Sequence, residues 1–144
     1  NKGKTESCLI SKLTYYGIFE KIIGEKIEIY GHWRGRHRAN FKTTLGNRIL
    51  HVDGSQYETD ESFETENKIC LIEAKNGQVK SFNVRQLYYQ FRDVYDINGN
   101  EKQIVCLYIF KDNLDIIHIH EYEWINPLNI MDVQEKNYYK YKFN

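Results

Sequence analysis

Two apolar segments of the sequence constrain the fold more than any other feature. The segments "KICLIEAK" (68–75) and "QIVCLYIF" (103–110) do not alternate between apolar and polar residues, apart from the charged pair that ends the first. Strands buried on both faces have this pattern, which is typical of the centre of a sheet with helices on each side. Residues 81–96 lie between them with apolar side chains at helical spacing, and Ser81 is the predicted N-cap. The sequence therefore predicts a βαβ unit with parallel strands and a right-handed crossover.

The remaining segments predict one more helix and several strands. Apolar residues from Glu6 to Ile23 recur at helical spacing, and Gly24 follows as the residue that ends the helix. The polar turn 65–67 joins an alternating segment to the first apolar strand and predicts a hairpin. Residues 115–125 predict another strand, and the closing residues 137–144 predict an edge strand or a tail. We therefore predict an α/β fold with a mixed central β-sheet flanked by helices.

Length and composition limit the classes of protein to which the chain can belong. The 144 residues suit one domain with one active centre, and no stretch approaches the roughly 18 apolar residues of a membrane span. A net charge of zero argues against a protein that coats nucleic acid with its whole surface, but it allows a local basic patch. Met131 is the only methionine, so we expect residues 1–144 to be processed or cut from a longer chain.

The cysteines and two of the histidines predict packing and not metal binding. Cys8, Cys70 and Cys106 lie apart in apolar segments without the paired spacing of a zinc site. We expect them to be buried structural thiols in a reducing cytoplasm. His118 and His120 share one face of their strand without a third ligand near them in the sequence, so we interpret them as packed or exposed strand residues.

Ionisable residues cluster where the first apolar strand ends. Glu73 and Lys75 share a strand face, since side chains at i and i+2 point the same way about 7 Å apart, and so do Glu58 and Asp60. If the hairpin turns symmetrically about 66–67, Asp60 lies opposite Glu73 and Glu58 lies opposite Lys75. Three carboxylates and one ammonium group would then converge on one face.

Such a cluster favours a divalent cation, because carboxylates held close together repel each other and resist ionisation. Mg²⁺ takes one or two protein carboxylates and keeps waters or phosphate oxygens as its other ligands. Asp60, Glu73 and the backbone carbonyl of Ala74 are the predicted ligands, and Lys75 is predicted to hold or deprotonate an attacking water and to stabilise charge on phosphorus. The alternative is a surface hairpin with cross-strand ion pairs, which predicts an alternation that "ICLIEAK" lacks.

These residues carry a family resemblance. Asp60, twelve intervening residues and then Glu73-Ala74-Lys75, after an apolar strand and before a helix, resemble the PD-(D/E)XK nuclease superfamily. The wider pattern "SQYETD…LIEAKNG…FNVRQLYYQFR", with "YYGIF", "GHWR" and "HEYEW", resembles type II restriction endonucleases of bacteria and their phages. One departure is Thr59, which stands where the superfamily name has proline.

The resemblance implies a restriction-endonuclease-like core and a Mg²⁺-dependent phosphodiesterase, with Mn²⁺ able to substitute, that leaves 5′-phosphate and 3′-hydroxyl ends. It implies that Asp60 and Glu73 bind the metal and that Lys75 lies beside the water. Whether Glu58 replaces or assists Asp60 stays open. The implied substrate is double-stranded DNA, and we expect a homodimer at least on DNA, since cutting two strands with one centre per chain requires two chains or two encounters.

Further residues are predicted to contact DNA. Arg85, Tyr89 and Arg92 share one helix face, where Arg85 can contact the scissile phosphate and the adjacent Gln86 can fix a water or Lys75. A solvated helix face is the alternative. The basic segment "HWRGRHR" is predicted to contact the phosphate backbone or, as an alternative, to form a solvated hairpin tip, and its arginines are Arg34, Arg36 and Arg38.

Three functions from different classes are compatible with these features. The leading prediction is an endonuclease that cuts duplex DNA. A structure-selective repair or junction-resolving nuclease would use the same site on the same fold, so fold and site do not separate the two. A nucleic-acid-binding module without catalysis is the third, and the intact set of Asp60, Glu73 and Lys75 argues against it.

Overall fold

The computed structural model describes residues 2–76 and 84–143, which form two sheets and three helices. In chain order the elements are α1 (Lys2–Tyr15), α2 (Ile18–Ile23), β1 (Ile29–Tyr30), β2 (Gly35–Leu45), β3 (Arg48–Thr59), β4 (Glu61–Glu64), β5 (Lys68–Asn76), α3 (Val84–Asn98), β6 (Gln103–Lys111), β7 (Ile117–Trp124) and β8 (Val133–Tyr141). One sheet has the strand order β1-β4-β5-β6-β7-β8, and the other contains β2 and β3. None of the helices in this described part combines the length and apolar character needed to cross a membrane.

The two apolar strands form the centre of the six-stranded sheet, as the sequence predicted. Strand β5 pairs with β6 in parallel, while the other neighbours in this sheet pair antiparallel. One face of these strands, including Ile72 and Ile109, packs against α1 and α2. The other face, including Leu71 and Cys106, packs with α3 and the β2–β3 hairpin. The predicted mixed central sheet flanked by helices is therefore confirmed.

The hairpin of β4 and β5 has the predicted register, but β3 does not continue it. The pairs run from Glu61↔Ile72 to Glu64↔Ile69, which is the symmetric turn expected from the sequence. Strand β3 pairs with β2 instead, so Glu58 is opposite Arg36 and not opposite Lys75 as predicted. The prediction was wrong because β3 forms its own hairpin with β2 across the turn at residues 46–47, and the chain bends at Asp60 before it enters β4.

The predicted helix from Glu6 to Ile23 is two helices. Gly17 adopts the left-handed conformation with φ 70°, which ends α1 and turns the chain before α2. Tyr16, which directly precedes this glycine, is 57% exposed. Gly24 ends α2 as predicted, with φ 78° and its N–H donating to the Glu20 carbonyl at 2.8 Å.

The cysteines and histidines have different surroundings. Cys70 and Cys106 are buried as expected, whereas Cys8 on α1 is exposed, so the expectation of burial was wrong for that residue. His118 Nε2 lies 2.7 Å from Asp112 Oδ2, and its ring stacks on Phe110. His120 pairs with Glu135 and stacks on Tyr138.

Helix α3 is fixed to the hairpin by a buried arginine. The Arg92 guanidinium donates to the Lys42 carbonyl at 2.6 Å, to Tyr88 Oη at 3.2 Å and to Asp96 Oδ1 at 2.9 Å. Its side chain was predicted to face DNA, yet only 8% of Arg92 is exposed. The predicted N-cap Ser81 lies outside the described residues.

Replacing Arg92 tests whether it is a structural or a DNA-facing residue. Arg92→Ala should lower the free energy of unfolding by about 2–4 kcal/mol, because it removes a charged donor with three hydrogen bonds and leaves the Lys42 carbonyl unpaired. Chemical denaturation measures this change. The exposed Arg36→Ala is the control, and its effect should stay within about 0.5 kcal/mol. Wild-type stability of Arg92→Ala would support the sequence-based assignment to DNA binding.

Candidate active site

The centre of the candidate site is the point where the chain leaves the β2–β3 hairpin for the larger sheet. Asp60 occupies the bend between β3 and β4. Its Oδ2 accepts a hydrogen bond of 2.9 Å from the Ala74 N–H. Because the N–H and C=O of a strand residue point to the same side, the Ala74 carbonyl also faces the side of Asp60. The carboxylate thus takes the place of a strand neighbour beside the end of β5.

Glu73 is the most deeply buried group of the site. It is 2% exposed, and its Oε2 accepts a hydrogen bond of 3.1 Å from Gln90 Nε2 on α3. Its Oε1 lies 3.0 Å from Lys75 Nζ. This charged contact lowers the pKa of Glu73, and it is the only polar contact of Oε1 among the described residues. One oxygen of Glu73 is therefore anchored, while the other is paired only with the Lys75 charge.

The pKa values of Glu73, Asp60 and Lys75 are all shifted by burial and by their charges. Burial raises the pKa of Glu73 to about 7, and the nearby Asp60 raises it as well, while Lys75 and Gln90 act in the opposite direction. Burial also raises the pKa of Asp60 against the lowering effect of the Ala74 N–H. Burial alone would lower the pKa of Lys75, but Glu73 and Asp60 together raise it. The site therefore binds protons more readily than free carboxylates do, and an added cation would relieve the repulsion.

Two residues of the site were missed in the sequence. Gln90 lies one turn beyond the predicted Gln86 and bonds Glu73 directly. Glu6 on α1 raises the pKa of Asp60 by its charge and lines the grooves of about 310 and 380 Å³ on the two sides of the centre. The same signal could have found both, since each is a polar residue at helical spacing from the apolar positions of its own helix.

The donor set fits Mg²⁺ but not a metal bound by protein groups alone. Among the described residues, no three His, Cys, Asp or Glu side chains come together as ligands for a metal ion. Mg²⁺ needs only one or two carboxylates, since waters and substrate phosphate complete its shell. Asp60, Glu73 and the Ala74 carbonyl offer hard oxygens, and the Glu73 Oε1, whose only polar contact among the described residues is the Lys75 ammonium, is the natural first ligand.

The other predicted residues lie around this centre at different depths. The basic segment 32–38 is mostly strand and not a loop or hairpin tip, since Arg34 lies in the turn before β2 while Arg36 and Arg38 lie on β2. All three arginines are exposed. Arg34 is paired with Glu61 at 3.5 Å. Glu58 is exposed on β3 and acts on Asp60 through its charge.

The start of α3 forms a separate groove beside β3. Arg85, Gln86 and Tyr89 line it together with Gln56 and Tyr57. The Arg85 guanidinium lies over the Tyr89 ring at 5.2 Å from its centroid. Gln86, predicted to fix a water or Lys75, therefore lines this separate groove, and the glutamine that bonds the Glu73 carboxylate is Gln90.

A match to a protein family covers nearly the whole sequence. The family described as a domain of unknown function, DUF6997, matches residues 1–142. The chain belongs to the DUF6997 family. No curated protein matches this DUF6997 domain, and no solved structure matches it. Its function has to be inferred from its own residues.

The raised pKa of Glu73 predicts how stability depends on pH and on metal. The folded state holds the proton with a pKa of about 7 against the usual 4.5, so the protein loses stability as the pH rises from 4.5 to 7. Glu73→Gln removes this loss because glutamine does not ionise. We therefore expect the melting temperature of the variant in chelator, relative to that of the wild type, to be higher at pH 8 than at pH 4. Mg²⁺ at pH 8 should raise the melting temperature of the wild type and not that of the variant.

The exposed Glu66→Gln is the matched control for that experiment and should respond to Mg²⁺ as the wild type does. Wild-type melting at pH 8 that does not change with Mg²⁺ would contradict the assignment of Glu73 as a metal ligand.

Proposed function

We propose that this DUF6997 domain is a Mg²⁺-dependent endonuclease with a restriction-endonuclease-like PD-(D/E)XK core. It hydrolyses phosphodiester bonds of double-stranded DNA and leaves 5′-phosphate and 3′-hydroxyl ends. One observation supports the proposal most: Asp60, Glu73 and Lys75 meet at the end of a central parallel strand, with a buried Glu73 oxygen whose only polar contact among the described residues is the Lys75 ammonium. Stability gives no reason for this arrangement, whereas metal-assisted hydrolysis uses each of these groups.

Asp60, Glu73 and the Ala74 carbonyl would hold the Mg²⁺, and Mn²⁺ could substitute. When bound, the ion would supply positive charge that polarises a phosphoryl oxygen and neutralises the carboxylates. Gln90 contributes by fixing Glu73 through Oε2, so that Oε1 keeps its direction toward the centre.

Lys75 is the proposed partner of the attacking water. Its pKa is raised, so the group is charged, which favours orienting the water and stabilising charge on the phosphorus over accepting a proton. The water attacks the phosphorus, the bond to the 3′ oxygen breaks, and the protons pass to solvent and to the leaving oxygen. Lys12 and Lys111 line the same groove as Lys75, so three ammonium groups border the space that the DNA backbone would occupy.

Incubation of the purified protein with supercoiled plasmid, in Mg²⁺ or in excess chelator, tests the proposal directly. We expect nicked and linear products in Mg²⁺ or Mn²⁺ only, and we expect two chains to act together on one duplex. Sequencing of the ends separates a sequence-specific enzyme, which gives discrete ends, from a structure-selective one, which gives scattered ends. Full cleavage in chelator, or none with either metal, would refute the proposal.

Lys75→Ala should slow plasmid cleavage by about two to four orders of magnitude, because the ammonium acts mainly on the transition state. In Ca²⁺, where a bound cation replaces the lost charge, its DNA binding and its melting temperature should both stay close to those of the wild type. The control is Lys26→Ala, because Lys26 is exposed and lies next to Glu25. Glu25 contacts Thr65 in the turn before β5, at the end of that strand opposite to Lys75. Unimpaired cleavage by Lys75→Ala would leave Lys75 as an ion-pair partner and remove it from catalysis.

Gln90 and Gln86 form a matched pair on one helix. Gln90→Ala should slow cleavage by about ten- to a hundredfold, since it releases the anchored oxygen of a proposed metal ligand. Gln86→Ala should have a much smaller effect, because its groove is separate from Glu73. Plasmid cleavage rates over a range of Mg²⁺ concentrations measure both, and a larger effect at Gln86 would restore the sequence-based assignment.

A further inference from the structure

The β2–β3 hairpin is a long two-stranded ribbon with one free face. Its strands have 11 and 12 residues, and they form a sheet separate from the larger one. The inner face packs on α3, where the Phe41 ring meets Tyr88 and Tyr89 with centroids 5.6 and 5.2 Å away. Exposed residues alternate with these buried ones along both strands, so the ribbon turns its other side to solvent.

The outward side has the residue types that read DNA bases. We call it the ribbon face, and its members are Arg36, Arg38, Asn40, Lys42, His51 and Gln56, all of which are exposed. Arginine and lysine bind guanine in the major groove, and asparagine and glutamine bind adenine. Within the described chain, the side chains of Arg36, Lys42 and Gln56 make no hydrogen bond or ion pair, so their donors are available to a ligand.

The ribbon face also contains acidic groups, which bear on the kind of contact. Asp53 is opposite Asn40, and Glu58 is opposite Arg36, both exposed on the same side. A track for phosphates alone would gain nothing from carboxylates, because they repel the backbone. In the major groove a carboxylate can accept a hydrogen bond from the cytosine amino group. The mixture of cations, amides and carboxylates therefore favours base reading over phosphate binding.

Size and shape fit the same partner. Eleven strand residues span about 35 Å, close to one turn of B-DNA, and the major groove is wide enough for a two-stranded ribbon. A bulge adds twist, since the register shifts at Ala39/Asn40 and Gly54 has φ 71°. Asn40 Oδ1 accepts from the Gly54 N–H at 2.8 Å, and Arg38 donates to the Gly54 carbonyl at 3.1 Å, so these ribbon-face side chains hold the bulge.

The ribbon begins at the catalytic centre. Its first pair is Gly35↔Thr59, and Asp60 follows directly in the chain. We infer that the ribbon face enters the major groove of duplex DNA beside the scissile phosphate and reads the base edges there, which makes it the specificity surface of the enzyme. The inference rests on the proposed function, because it needs duplex DNA as the substrate.

The test compares two amplified fragments of one sequence, one with ordinary purines and one with 7-deazaguanine and 7-deazaadenine. The replacement removes the N7 acceptors of the major groove and leaves the phosphates and the base pairing unchanged. In Mg²⁺ the wild type should cut the modified fragment at least tenfold more slowly, and Lys26→Ala should behave in the same way.

The double variant Lys42→Ala/Gln56→Ala should cut the ordinary fragment at least tenfold more slowly than the wild type and at a broader set of sequences. Its cleavage rate should fall much less than that of the wild type when the modified fragment replaces the ordinary one, because the side chains that use the N7 acceptors are already absent. Thermal melts monitor folding, and the single variant Arg36→Ala should give the same result if the double variant does not fold.

The outcomes separate this inference from the function on which it rests. Equal cleavage of both fragments by the wild type, or unchanged rates and ends in the ribbon variants, overturns the major-groove inference and leaves the nuclease intact. Cleavage of neither fragment by the wild type overturns the nuclease proposal itself, and the inference falls with it.

Discussion

The hydrogen bond between the Ala74 N–H and the Asp60 carboxylate is the interaction on which the rest of the site depends. In an unbroken hairpin, the Ala74 N–H would meet a backbone carbonyl, and the side chain of residue 60 would stand perpendicular to the sheet. Because β3 belongs to another sheet, the chain bends at this residue, and its carboxylate occupies the position of a strand neighbour at 2.9 Å. This bend places Asp60 close enough to Glu73 for each to raise the free energy of ionising the other.

That proximity costs stability and is not compensated within the described residues. Asp60 and Glu73 both have raised pKa values, although Lys75 and Gln90 act against the shift at Glu73. A surface ion pair would avoid such a cost by facing water, but Glu73 is 2% exposed. Local conflicts of this kind concentrate at functional sites, where a ligand relieves them. Arg92, by contrast, donates to the Lys42 carbonyl of the hairpin and to Tyr88 and Asp96 of α3, and takes no part in the site.

The parts of the fold that were predictable from the sequence depend on local pattern. Strands β5 and β6 are apolar on both faces, and the short polar turn before β5 leaves one register, so the central sheet and its hairpin could be predicted. The partner of Glu58 was missed because β2 and β3 form their own hairpin across the turn at residues 46–47, whereas β3 was assigned to the hairpin with β5. Helical spacing groups Arg85, Tyr89 and Arg92 on one side, but the β2–β3 hairpin covers part of that side, so Tyr89 and Arg92 are buried.

Only the residues of the site that belong to the local strand pattern could be predicted from the sequence. Asp60, Glu73 and Lys75 are close in sequence around one hairpin, and their convergence follows from strand geometry. Glu6 and Gln90 come from helices that pack on opposite faces of the sheet, so only the assembled layers bring them together.

The parallel pairing of β5 with β6 also decides when the candidate site can form during synthesis. Glu73 has Tyr108 as its neighbour across this pair, and α3, which supplies Gln90, lies between the two strands in the chain. A nascent chain that ends before Gln103 leaves one edge of β5 open, and closing the long crossover is slow compared with hairpin formation. The surroundings of Glu73 are therefore complete only after β6 has been synthesised. In the proposed nuclease, a nascent chain shorter than this would lack the site that cuts DNA.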